Sequence, residues 1–377
     1  MASQVDRAVV REPAELRFAD ELAALKAEDK DPKPPGWQLS PKAVRTFVIG
    51  SEGKNLSSPP GQQIAISRKL YGDDMLVDRC IVTLMGNRGL ILIGEPGTAK
   101  TMLSELLSAA ICGQSTNTIQ GTAGTTEDQI KYSWNYALLL AEGPSPKAMV
   151  PSPLYMGLKE GLIVRFEEMT RCPQEIQDTL VSILSDKMMH VPELGDGHSL
   201  VLAKKGFNVI ATANTRDRGV NEMSAALKRR FNFETVRPIR DKDFEVRLVM
   251  EQAQSLLTDA GAQAKVDQDV IDMLVTTFQD LRNGRTAEGT VVDRPSTPMS
   301  TAEAVSVAFS ASLDACYFGD GRLRSEHVVR QLLGTVIKDS PDDAKKVRQY
   351  FDVVIKSRLR LGSSWKSFYE ARGLLDI

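Results

Sequence analysis

Cysteine and histidine are scarce in this chain and form no pattern. The four cysteines, Cys80, Cys112, Cys172 and Cys316, are widely spaced with no CxxC pair, and the three histidines add no ligand cluster, which argues against a zinc site or a disulfide framework. No apolar run approaches the length of a membrane span, so no membrane insertion is expected. The N-terminus, Met1-Ala2-Ser3-Gln4-Val5-Asp6-Arg7, carries charge but no apolar core of a secretion signal. These absences point to a reducing, cytoplasmic setting. An excess of either charge is also missing: 47 basic residues stand against 49 acidic ones, so a general nucleic-acid or membrane-surface binder is disfavoured. No internal repeat or low-complexity tract stands out. What remains is an ordinary globular composition, 42% apolar and 25% charged over 377 residues, enough for about two to three domains.

The most informative stretch runs from Leu90 to Leu103. Four consecutive apolar residues, Leu90-Ile91-Leu92-Ile93, read as a strand buried on both faces, and Leu103, Leu106, Leu107 and Ile111 follow at helical spacing. Between them lie Gly94, Glu95, Pro96, Gly97, Thr98, Ala99, Lys100, Thr101 and Met102. Strand, glycine-rich loop and helix make a phosphate site: backbone N–H groups close in, the helix dipole favours an anion, Lys100 adds charge, and the Thr101 hydroxyl can ligate Mg²⁺. The alternative, a glycine turn with an incidental lysine, is disfavoured by the strand before and the helix after. Ala99 stands where the strict pattern has glycine, which is tolerable if its φ stays negative.

Along the chain, residues 12 to 27 read as one short amphipathic helix with Phe18, Leu22 and Leu25 at helical spacing, followed by a polar linker from Glu28 to Gly36. Ser40 with Pro41 opens a second helix that places Val44, Phe47 and Val48 on one face, and the loop Ser57-Ser58-Pro59-Pro60-Gly61 follows. This extension is too small for its own core and docks on the main body or on a partner, the first being the simpler arrangement. Tyr71, just upstream of a helix with Val77, Ile81 and Leu84, is a candidate neighbour of a bound purine. A second strand is expected over 116–120. After a Gly/Thr-rich segment from Gly121 to Gln129, an insertion carries Tyr132, Trp134, Tyr136 and Tyr155; aromatics of this kind usually pack, although an insertion between core strands can also project.

The next strand, 161–166, ends in Glu167-Glu168. At the carboxyl end of a parallel strand two such carboxylates face the ligand crevice, one suited to Mg²⁺ and its waters, the other to orienting or deprotonating a water. A helix opening at Pro173 leads to a β-hairpin, Met188 to Val191 and Leu200 to Leu202, across Gly195-Asp196-Gly197. The fourth strand, 207–213, ends at Asn214, whose amide can contact a γ-phosphate or hold water. Arg229 and Arg230 precede a fifth strand, 233–236. Beyond Pro238 the apolar spacing is helical throughout, interrupted from Arg282 to Pro298. The expected organisation is an N-terminal helical extension (1–65), an α/β domain (66–237) and a smaller α-helical domain (238–377).

With these residues in view, 66–358 resembles an AAA+ ATPase, and within that superfamily the MoxR group, close to the dynein-related and McrB-like branch. The resemblance implies a parallel five-stranded αβα nucleotide-binding domain followed by a helical lid. It aligns Walker A with Gly94 through Thr101, Walker B with Ile163 through Glu168, sensor 1 with Asn214, and the arginine finger with Arg230, Arg229 beside it. It implies ATP with Mg²⁺ held by Thr101 and Glu167, catalysis through Glu168, Asn214 and Arg230, a hexameric ring, and a protein client, for MoxR proteins one with a von Willebrand factor A domain. ATP over GTP comes from the resemblance alone. Two departures stand out: Glu167 replaces the usual aspartate, and Met299 stands at the nearest counterpart of the sensor 2 arginine. Both point to slow hydrolysis, and aspartate at 167 is expected to raise turnover. Two other readings stay open: a nucleotide-binding ring scaffold with little hydrolysis, and a McrB-like motor linked to nucleic acid.

Overall fold

The computed structural model describes residues 9–58, 62–195, 197, 199–214, 221–338 and 340–375. Met1–Arg7, the loop residues Pro59, Pro60 and Gly61, and the hairpin residue Asp196, all read above, lie outside them. The chain forms two units, the described residues of Met1–Gly94 with Ala99–Val236, and those of Glu95–Thr98 with Arg237–Ile377.

The first unit is built on five parallel strands, β1 (Gly89–Gly94), β2 (Thr118–Gln120), β3 (Ile163–Glu167), β4 (Asn208–Asn214) and β5 (Phe231–Thr235), in the order β5-β1-β4-β3-β2. The central strands read as continuous apolar runs because helices cover both faces, and Leu90, Ile91, Leu92, Val164, Phe166, Val209 and Ile210 are all fully buried. Register aligns Asn214 with Gly94, Ala211 with Phe166, and Gln120 with Glu167. The carboxyl ends of β1, β3 and β4 are thereby brought side by side.

Several expected boundaries shift, each for a local reason. Strand β2 starts at Thr118, because the Ser115 carbonyl is taken by Arg165 and the Asn117 amide donates to the carbonyls of Pro153 and Ile163. Gly161 ends the helix Pro153–Glu160 in a left-handed conformation, so β3 begins two residues later, at Ile163. Strand β5 spans Phe231–Thr235 because pairing with β1 begins at Phe231 opposite Gly89. The expected hairpin is present as Met188–His190 against Leu200–Leu202.

The single helix expected over 12–27 is two, Ala14–Arg17 and Ala19–Glu28, broken at Phe18 with φ −116°. The break turns the Phe18 ring edge-on to Phe47 and under the buried Lys69 ammonium, which Glu21 meets at 2.5 Å. Burial, the largest influence, pulls Lys69 below the ordinary lysine pKa against the opposing pull of Glu21. Ser40 caps the helix Pro41–Ile49 by accepting from the Ala43 N–H, and Val44, Phe47 and Val48 join Leu25, Leu90, Leu92 and Leu106 in one apolar cluster. The extension therefore docks on the main body. In the insertion, Tyr155 is buried, Tyr132 and Trp134 are half-buried, and the helix Tyr136–Glu142 has no buried residue, so part of the segment projects.

The second unit is helical, with Lys242–Asp259, Gln268–Asn283, Thr301–Phe318, Ser325–Leu332, Pro341–Tyr350 and Ser363–Glu370 around a core that includes Phe278, Val307, Phe351 and Phe368. Its polar anchor is Glu245, fully buried, whose carboxylate accepts from Arg282 (2.7 and 3.1 Å), Gln279 (2.7 Å) and Thr301 (2.6 Å). Three helices meet on that one group. Among the described residues all four cysteines are free thiols, and no helix is long and apolar enough to cross a membrane. Arg282→Met would leave the Glu245 charge buried without its cation. The expected loss is about 3–5 kcal/mol of stability in the helical unit, read as a lower denaturant midpoint; an unchanged midpoint would show that Gln279 and Thr301 suffice.

Candidate functional site

The loop after β1 feeds the helix Lys100–Cys112, whose first turn receives no side-chain cap. A helix N-terminus without a side-chain cap, entered from a glycine-containing loop, is the arrangement that holds a phosphate. Gly97 has φ +74°, and the Thr98 hydroxyl donates to the Glu95 carbonyl at 2.9 Å, which closes the loop on itself. Ala99 departs from expectation: its φ is +66°, not negative. The turn into the helix demands a left-handed residue, so alanine carries a strain there of about 1–2 kcal/mol that glycine would avoid. Lys100 is buried, its ammonium 3.1 Å from the Gly94 carbonyl, while Thr101 beside it is exposed and Met102 half-buried.

Glu167 ends β3 with its side chain only 5% exposed. Four groups surround its carboxylate. Oε2 accepts from the hydroxyls of Thr101 (2.9 Å) and Thr212 (2.8 Å), and Oε1 from Ser104 (2.6 Å) and Arg165 Nη2 (2.8 Å). Because Thr101 gives its proton to Glu167, its oxygen keeps lone pairs for a hard cation, the donor chemistry that Mg²⁺ takes. Among the described residues no group of three or more His, Cys, Asp or Glu forms a metal cage. A cation at Thr101 would complete its shell from phosphate oxygens and water, so the residues present fit Mg²⁺ brought with a nucleotide.

Glu168 follows with φ 55° and ψ 37°, a left-handed conformation in a non-glycine residue. Its N–H donates to Thr212 Oγ1 at 2.9 Å, so one hydroxyl touches both glutamates. Asn214 donates to Glu168 Oε1 at 2.8 Å and Arg171 to Oε2 at 2.8 Å. A Cβ at Gly121 would stand 2.5 Å from the Glu168 carbonyl oxygen, and the Gly121 N–H donates to the Glu167 carbonyl at 2.7 Å. Only glycine lets the β2 exit pass this close. A carboxylate held by an amide at the mouth of a phosphate loop can take a proton from water.

The structure thus brings together Lys100, Thr101, Glu167, Glu168 and Asn214. Arg229 and Arg230 lie elsewhere, before β5, at the amino end of the sheet: Arg229 is exposed, and Arg230 donates to Ser185 (3.0 Å) and to the Ala226 carbonyl (3.1 Å). Tyr71 is half-buried under the Arg68 guanidinium. Met299 is buried in the helical unit's core with its carbonyl accepting from Arg282, so no arginine side chain occupies that position.

Sequence reading missed Ser104, Arg165, Thr212 and Arg171. Three of them had a signal. Ser104 lies three residues after Thr101 on one helix face, Arg165 is a charge inside an apolar strand on the same face as Glu167, and Thr212 shares a face with Asn214. Arg171 had none beyond its place in the turn after Glu168.

The AAA domain (dynein-related subfamily) matches residues 89–231, and the YehL-like AAA+ ATPase C-terminal domain matches 243–376. The chain is 50% identical over 363 residues to YehL of Escherichia coli (strain K12), covering 96% of each chain. It is 25% identical over 253 residues to YojN of Bacillus subtilis (strain 168), covering 66% of this chain and 78% of that one. NtrX from Brucella abortus, solved in complex with ADP, aligns over 82% of this chain and 70% of its own at 12% identity and a TM-score of 0.48.

Lys100→Ala is expected to abolish binding of a fluorescent ATP analogue, whereas Glu168→Gln keeps the affinity and lowers steady-state turnover by about 10²-fold or more. The geometry reverses the expectation for Glu167. An aspartate there falls about one C–C bond short of Ser104 and Arg165, so Glu167→Asp lowers turnover; a rise would show that the four donors relax around the shorter side chain.

Proposed function

Since the chain belongs to the YehL-like AAA+ ATPases, we propose that it binds ATP with Mg²⁺ and hydrolyses it as a motor of MoxR type, acting in the cytoplasm as a ring, a hexamer, on a protein partner. The observation that carries this reading is the meeting of Thr101, Glu167, Glu168 and Asn214 at the adjoining ends of β1, β3 and β4. Lys100 and the first turn of its helix hold the phosphates. Glu168 receives the proton of the attacking water, and Asn214 fixes the carboxylate that receives it. When bound, Mg²⁺ supplies charge neutralisation at the β- and γ-phosphates. The proposed partner is a protein with a von Willebrand factor A domain, an assignment supported only by the MoxR resemblance.

One observation favours a second reading, a nucleotide-binding ring scaffold with little hydrolysis. Both Glu168 oxygens are engaged, by Asn214 and Arg171, so a water reaching this carboxylate must share or displace one of those donors. Steady-state turnover separates the two readings. The proteins that co-purify with Glu168→Gln, a form expected to hold its client, identify the partner.

Arg230 lies at the opposite end of the sheet from its own phosphate loop, which is where a group serving a neighbouring subunit's nucleotide belongs. A guanidinium against the γ-phosphate is worth about 10³–10⁵ in rate in other phosphoryl-transfer enzymes. Arg230→Ala and Glu168→Gln are each expected to be inactive alone and to regain activity when mixed, because some interfaces then pair an intact Glu168 with an intact Arg230. Mixed rings that stay inactive, or wild-type monomers that hydrolyse ATP at the full rate, would exclude a finger acting between subunits.

A further inference from the structure

We infer that Arg165 is a positioning residue of the nucleotide site, which fixes the rotation of the Glu167 carboxylate and through it the affinity for Mg²⁺, and that the N-terminal segment holds it in place from behind. The inference rests on the nucleotide reading above. Arg165 lies within β3 with its side chain 9% exposed, and each nitrogen of its fork is used: Nε donates to Ser104 Oγ (3.0 Å), Nη1 to the Ser115 carbonyl (2.8 Å), and Nη2 to Glu167 Oε1 (2.8 Å) and the Thr101 carbonyl (3.2 Å). Three of these partners, Thr101, Ser104 and Glu167, are the residues that would hold and orient a cation at the Thr101 hydroxyl. Thr101 supplies the hydroxyl, Ser104 and Glu167 the groups that orient it.

A buried ion pair can be a matter of stability alone. What sets this one apart is the division of labour on the carboxylate. Arg165 and Ser104 take Oε1, which leaves Oε2 to Thr101 and Thr212. Without Arg165, Oε1 keeps only Ser104, whose hydroxyl has itself lost the Arg165 Nε donor, so the rotation of the carboxylate that accepts from Thr101 is held less tightly. Groups of this kind, one step behind a metal ligand, orient the ligand and tune its affinity.

The support continues outward to the N-terminus. Ser115, whose carbonyl holds Arg165, has its N–H held by both oxygens of Glu15 at 3.1 Å each, from the helix Ala14–Arg17. Arg11 pairs with Glu105, the residue after Ser104, at 2.6 Å. Two contacts from residues 11–15 therefore bear on the residue, or the neighbour of the residue, that Arg165 grips. A segment far from the phosphate loop in sequence is connected to the Thr101 hydroxyl by four hydrogen-bonded steps.

The test is binding of a non-hydrolysable ATP analogue to the full chain, measured with excess chelator and across a Mg²⁺ titration. Arg165→Gln is expected to leave metal-free affinity within about twofold of wild type and to raise the half-saturating Mg²⁺ concentration by about 10–100-fold. Arg165→Lys, which keeps the charge but not the fork, falls between the two, and Glu15→Ala shifts the Mg²⁺ half-point in the same direction by less. A folded Arg165→Gln of lower melting temperature with the wild-type Mg²⁺ half-point would make the residue a purely structural one and overturn the inference. If Arg165→Gln does not fold, Arg165→Lys and Glu15→Ala decide it: wild-type half-points in both overturn it. A wild-type chain that binds the analogue without any dependence on Mg²⁺ overturns the metal reading itself, and the wild-type curve alone tells that failure from the other.

Discussion

An ionised carboxylate enclosed at the end of a parallel sheet is tolerated only while its lone pairs are met, and the arrangement of the first unit follows from meeting those of Glu167. The donors come from three places: the helix after β1 supplies Thr101 and Ser104, β3 itself supplies Arg165, and β4 supplies Thr212. That requirement fixes the rotation of the helix, since positions 101 and 104 must both face the sheet. It also fixes the pairing of β4 with β3, since Thr212 must stand beside Glu167 while Ala211 lies opposite Phe166. Arg165 passes the demand on, because a buried guanidinium needs acceptors of its own. The Ser115 carbonyl answers, and its residue is held in turn by Glu15. The glutamate side chain reaches all four donors, so its length is matched to where they stand.

Much of the fold was legible because its determinants are local. The central strands are continuous apolar runs, which only burial on both faces explains, and the Ser40-Pro41 cap and the hairpin pattern each carry their own signature. The meeting of the candidate site residues was legible for a related reason: in a parallel sheet, whatever ends adjacent strands meets at one edge, so Thr101, Glu167, Glu168 and Asn214 could be grouped without coordinates. The misses are tertiary. Nothing near Thr116 announces that the Ser115 carbonyl is already committed to Arg165 and the Asn117 amide to Pro153 and Ile163, and nothing near Phe18 announces that Phe47 and Lys69 reward a break in the helix. Ala99 is the instructive case. Residue type argued for a negative φ, but the geometry of a loop entering a helix outweighs a penalty of about 1–2 kcal/mol.

The second left-handed residue, Glu168, shows what such a penalty accomplishes. Along an extended strand successive side chains point to opposite faces, so a chain that continued straight past Glu167 would send the next carboxylate through to the other side of the sheet. Leaving the strand at φ 55° turns Glu168 toward the end of β4, where the Asn214 amide meets it, while Glu167 stays on the face covered by the helix Lys100–Cys112. The two carboxylates share Thr212, one through a backbone N–H and the other through a carboxylate oxygen, yet their charged ends are held by different donors. Like charges are kept from competing for the same environment. One carboxylate becomes a fixed, enclosed anchor for the Thr101 hydroxyl, and the other remains partly open to solvent at the mouth of the site. A strained backbone angle between adjacent glutamates is therefore the physical means by which one dipeptide places its two carboxylates in separate surroundings.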